Sequence, residues 1–160
     1  MQLPTILVTL LAGSAFAAPA SKSSSPRQCS TIWPNETGNF VLSKSGPQLP
    51  TQDISFNVPE NSVGPCTLVL SFPKGKGTHV SGDVRASVYE HTGSLSTDIG
   101  SLVGTVELKG SETEDTFRYI NSFACKPLMS YKFRLDGERD GRVEFFQGEG
   151  QGIAMTVGSC

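Results

Sequence analysis

The chain has 160 residues, 37% of them hydrophobic, and 13 Lys and Arg stand against 15 Asp and Glu for a formal net charge of -2. Mixed charges that nearly cancel are not the footprint of a nucleic-acid binder or of a protein held on an anionic membrane, so neither partner is expected. No apolar run reaches the roughly 20 residues that span a bilayer, which argues against membrane insertion.

The first element is an apolar run from Ile6 to Leu11, followed by small residues ending in Ala15-Phe16-Ala17. This pattern predicts a secretory signal peptide over residues 1–17, with cleavage after Ala17 and a mature chain starting at Ala18. Residues 18–28 are rich in Ser, Ala and Pro, offer little to bury, and read as a flexible leader. The remainder, 29–160, is close to the commonest domain size and reads as a single domain.

Four cysteines, Cys29, Cys66, Cys125 and Cys160, lie beyond the signal, widely spaced and without a C-x-x-C pair. In an exported chain an even count with such spacing predicts two disulfides rather than a metal site. Three pairings are open. Cys66 with Cys125 is favoured because both adjoin strand-like runs, leaving Cys29 and Cys160 to tie the two ends. Trp33, between Ile32 and Pro34, reads as a plug over one end of the core. The sequon Asn35-Glu36-Thr37 follows in a Pro- and Gly-flanked segment, making Asn35 a candidate glycosylation site on a surface loop.

From Asn39 onward the hydrophobic period is two, which predicts strands. Ile54, Phe56 and Val58 form one apolar set, and Leu68, Leu70 and Phe72 the next. They are followed by Val84, Ala86 and Val88, by Leu102, Val106 and Leu108, and by Phe117 with Tyr119. Tyr131, Phe133 and Leu135 lead through Asp136-Gly137 and Asp140-Gly141 into Val143 and Phe145, the strongest hairpin signal in the chain. Ile153, Met155 and Val157 close the series. Breaks such as Pro73 to Gly77 and Thr92-Gly93 read as hairpin-style turns, and Gly148 to Gly152 as a tight connection or bulge. About eight or nine short strands without a convincing helix predict an antiparallel β-sandwich or jelly-roll-like barrel.

Catalytic groups are sparse. His79 and His91 are the only histidines, and neither sits in a recognisable motif. Glu107 and Glu144 each stand between apolar strand neighbours and so project away from the core, where a carboxylate pair could serve glycoside hydrolysis. Tyr89 is out of phase with Val84, Ala86 and Val88 and is expected to point outward as a candidate stacking platform for sugars. No catalytic residue, metal or cofactor is assigned.

The runs Cys29 to Pro34, Asp53 to Pro59 and Gly64 to Pro73, together with Ala86 to Glu90, Ser122 to Cys125 and Tyr131 to Leu135, resemble fungal secreted proteins carrying the But-two C-terminal domain. The resemblance implies a β-rich extracellular fungal protein of the kind found among wall-associated proteins, effectors and elicitors. It transfers no catalytic residues. The expectation is a monomeric, non-enzymatic protein acting by surface recognition as an elicitor or effector of plant defence, its partner a host cell-surface receptor or a cell-wall polysaccharide. The alternatives are a cell-wall or glycan-binding structural protein and a β-sandwich glycoside hydrolase or lyase.

Overall fold

A computed structural model describes residues 29–45, 50–76, 78–82, 84–91, 99–136 and 140–160. The signal, the cleavage point and the leader lie outside them, as do Thr92-Gly93 and Gly137. The described residues form eleven β-strands and no helix. These are β1 (Ser30–Ile32), β2 (Gly38–Lys44), β3 (Thr51–Asn57), β4 (Pro65–Phe72), β5 (His79–Gly82) and β6 (Arg85–Glu90), then β7 (Leu102–Glu107), β8 (Thr116–Ala124), β9 (Leu128–Leu135), β10 (Gly141–Gln147) and β11 (Gly152–Val157).

All pairings are antiparallel, in three sheets. The first has the order β1-β11-β4-β8, the second β3-β9-β6-β7, and a three-stranded sheet has the order β2-β10-β5. This is the expected sandwich-like all-β fold, with slightly more strands than the sequence suggests. The additional strands are the three-residue β1, the short and largely exposed β5, and β2, which buries only Phe40 and Leu42.

One hydrophobic core joins the three sheets. Phe40 stacks on Phe145 with ring centroids 4.5 Å apart, and the edges of Phe72 and Phe133 meet that pair, so the three-stranded sheet closes one end. Towards the other end Tyr131 lies between Phe56 and Phe123. Ile32, rather than the half-buried Trp33, packs against the core from β1.

The chain passes from sheet to sheet at nearly every turn. Only β6 and β7 are both consecutive and paired. The segment from Asp136 to Gly141 therefore does not close a hairpin, since β9 pairs with β3 and β6 while β10 pairs with β2 and β5. Likewise β4 and β5, on either side of Pro73 to Gly77, belong to different sheets. Turn chemistry marks where the backbone reverses but carries no information about which sheet the next strand enters. Between β10 and β11 the corner is held by Gln147, whose buried amide donates to the Ile153 carbonyl at 2.9 Å and accepts from the Ile153 N–H at 2.7 Å. Gly152 follows at φ +99°, where a Cβ would lie 2.5 Å from the Gln147 Oε1.

Cys66 is bonded to Cys125 and Cys29 to Cys160. The first bridge ties β4 to the end of β8, and the second joins the approach to β1 to the exit from β11.

Candidate functional site

Two β-bulges decide what the two four-stranded sheets present outward. In β8, Leu68 pairs with Asn121 but Val69 pairs with Tyr119, leaving Ile120 as the extra residue. In β7, Val88 pairs with Gly104 but Tyr89 with Leu102, leaving Val103 as the extra one. An extra residue inverts the phase of a strand, sending the side chains before it to the opposite face. Phe117 and Tyr119, expected in the core, are therefore 65% and 60% exposed, and Leu102 is 58% exposed. Both bulges sit where the two sheets meet. There the Asn121 amide donates to the Val103 carbonyl, and a Cβ on Gly104 would lie 3.0 Å from the Ile120 Cγ2 and 3.1 Å from its carbonyl oxygen.

The outer face of the first sheet consequently carries exposed aromatic rings. Tyr119 is in register with Val69 and Ala154, both buried although they face away from the core, and Phe117 is in register with Ser71 and Gly152. Beside them runs a row of hydroxyls across all four strands, Thr31, Thr156, Thr67 and Ser122, in which the Thr67 and Ser122 hydroxyls are 2.6 Å apart. A groove of about 480 Å³ crosses this face between Phe117 and Tyr119 on one side and Gly158 to Cys160 on the other. That volume lies within the roughly 300–1,000 Å³ of small-molecule sites.

The outer face of the second sheet is built on charge. Lys132, in register with Asp53, is fully buried, and its ammonium donates to the Asp53 Oδ1 at 2.7 Å. The His91 Nδ1 lies 3.7 Å from the same oxygen, and its Nε2 is enclosed without a hydrogen-bond partner. His91 thus has a carboxylate neighbour that no motif announces. However, Lys132 already occupies that oxygen, and 3.7 Å exceeds a hydrogen bond, so the carboxylate does not orient the ring. Beside them a pocket of about 460 Å³ is lined by Glu90, His91, Lys126 and Tyr131, with Lys126 paired to Glu90 at 3.1 Å. Burial first, and the Glu90 charge second, raise the Tyr131 phenol well above its ordinary pKa.

Tyr89 does point away from the core, but the Arg134 guanidinium stacks 4.9 Å from its ring centroid and donates to its hydroxyl. That ring face is occupied by the guanidinium and is closed to a stacking sugar. Glu107 and Glu144 also project outward, in different sheets, each against its own arginine: Arg118 at 3.4 Å and Arg142 at 2.8 Å. His79 is the first residue of β5, exposed and in register with Glu144. Asn35 is exposed, with its side-chain amide donating to the Ser55 hydroxyl at 3.2 Å. Among the described residues no cluster of three or more His, Cys, Asp or Glu is arranged to hold a metal ion.

Neither a protein-family model, nor a curated protein, nor a solved structure matches the chain.

Proposed function

We propose that the protein is exported and acts by surface recognition, without catalytic turnover. The observation that carries this reading is the outer face of the first sheet, which exposes Phe117 and Tyr119 from a strand bridged to its neighbour through Cys66 and Cys125. Exposing two large rings costs solvation, and a rigid scaffold that presents them spends little entropy on binding. The polar groups elsewhere favour the same reading. The Asp53 oxygen is taken up by Lys132, the His91 Nε2 is enclosed, and Glu107 and Glu144 belong to separate ion pairs. Two disulfides suit an extracellular setting. In that setting, a fungal elicitor or effector perceived by a plant host is the form of recognition to which the sequence resemblance points.

Infiltration of purified protein into leaf tissue tests this directly. The variants His79→Ala, His91→Ala, Glu107→Gln and Glu144→Gln should retain the response, while Phe117→Ala with Tyr119→Ala should weaken it. Loss of the response in any of the first four, with the fold intact by circular dichroism, would replace recognition by enzymatic action.

A further inference from the structure

We infer that the groove on the first sheet binds an uncharged polysaccharide, laid along β8 with sugar rings on Phe117 and Tyr119. The inference rests on the recognition reading above and names the occupant of its face.

Charge is the first ground. On the outward positions of β1, β11, β4 and β8 the side chains are apolar or carry hydroxyls, and the only ionisable group is the Tyr119 phenol. In a chain with 28 charged residues, 13 basic and 15 acidic, a four-stranded face without a carboxylate, ammonium or guanidinium offers nothing to a charged ligand. Arg118 lies between the two aromatics in sequence, yet it turns to the opposite side to meet Glu107.

The second ground is the pairing of an aromatic strip with a hydroxyl row. Sugar rings present an apolar C–H surface and an edge of hydroxyls that both donate and accept. Exposed aromatic rings match the first, and the Thr67 and Ser122 hydroxyls, bonded to each other at 2.6 Å with one proton and further lone pairs still to share, match the second. A purely apolar partner would leave the remaining hydrogen-bonding capacity of these hydroxyls unused, whereas an acidic or basic one would lose its hydration for no countercharge.

The third ground is shape. Phe117 and Tyr119 stand two residues apart on β8, about 6.6 Å along the strand, with the segment Gly158 to Cys160 bounding the groove, so an extended chain running along β8 can cover both rings.

The test is retention of the secreted protein on insoluble neutral polymers (chitin, a β-1,3-glucan and cellulose) beside anionic polygalacturonate and cationic chitosan, at low and at molar salt. Retention on at least one neutral polymer, undiminished by salt, is expected. Phe117→Ala with Tyr119→Ala should weaken it about tenfold or more, while Tyr119→Phe should keep it. If the double alanine variant fails to fold, Ser122→Arg serves instead, because it places a bulky charge on an exposed position beside Thr67, which lines the groove, without touching the core. Retention on no neutral polymer, retention only on charged polymers, or retention unaffected by these variants would overturn the inference. A leaf response that still needs Phe117 and Tyr119 in a protein no neutral polymer retains would leave recognition standing and make the partner a protein.

Discussion

The outer faces of the two four-stranded sheets have the same architecture and opposite chemistry. One carries Phe117, Tyr119, Val69 and a row of hydroxyls; the other carries Asp53, Lys132, Arg134, Tyr89 and Glu107. On the charged face nearly every functional group is matched within the protein: Lys132 to Asp53, Arg134 to Tyr89, and Glu107 to Arg118. On the aromatic face the rings have open sides. A surface whose groups satisfy one another is finished, whereas a surface with unmatched rings has capacity for a partner. The difference separates a face whose polar groups are matched within the fold from a face whose rings stand open to solvent.

The largest expected effect tests whether the aromatic face depends on its covalent tie. Cys66→Ser with Cys125→Ser opens a bridge across a sequence separation of 59 residues, for which chain entropy gives about 4 kcal/mol. Melting temperature should fall by roughly 10–20 °C, with recognition lost in step with the folded fraction. A melting curve that does not move would remove the bridge from this account.

The next test concerns the charged face. Asp53→Ala leaves the Lys132 ammonium buried without its acceptor, and since Asp53 is partly exposed the cost should be about 2–3 kcal/mol, the lower end for a broken buried pair. Lys132→Met, which removes the charge and keeps the stem, should be far milder. Urea midpoints decide between them, and equal losses would show that packing rather than charge makes this site. Neither variant should affect binding on the aromatic face.

Smaller again is the effect at the seam that separates the faces. Gly104→Val places a branched side chain against Ile120 and should cost about 1–2 kcal/mol, visible as a lower denaturant midpoint with an unchanged slope.

The smallest effect at neutral pH belongs to Tyr131. Its phenol is raised above the unfolded value of about 10, so the folded protein holds the proton more tightly. That contribution is complete below about pH 10 and is lost as pH rises and the unfolded chain ionises first. Wild type should lose stability above about pH 10, and Tyr131→Phe should flatten that decline. A variant with the same alkaline profile as wild type would assign the loss to other groups.

The strands themselves were legible wherever alternation ran unbroken, as in Ile54, Phe56 and Val58, or Ile153, Met155 and Val157, all of which are buried. Alternation fails at a bulge, because nothing in Tyr119-Ile120-Asn121 distinguishes an extra residue from a regular one. Strict alternation puts Phe117, Tyr119 and Leu102 into the core for that reason and hides the exposed aromatic face with them. Lys132, between Tyr131 and Phe133, sits on the outward phase that usually means solvent. Its burial depends on Asp53 across the sheet, a contact 79 positions away that no local pattern records. The Asp136 to Gly141 segment shows the matching limit for topology, since a reversal of direction is local and the choice of sheet is not.

The connectivity also bears on how the chain can be made. β11 fills the gap between β1 and β4, yet it follows the other ten strands in chain order, so the first sheet lacks an interior member until those ten have been made. Strands emerging earlier have only the β6–β7 pair to form locally. Such long-range pairing folds slowly, on the millisecond-to-second scale typical of non-local β-proteins. Completion of the first sheet is thus deferred until β11 has been made. Until then the facing edges of β1 and β4 lack their partner and present unpaired backbone groups, the kind of edge that pairs with other chains.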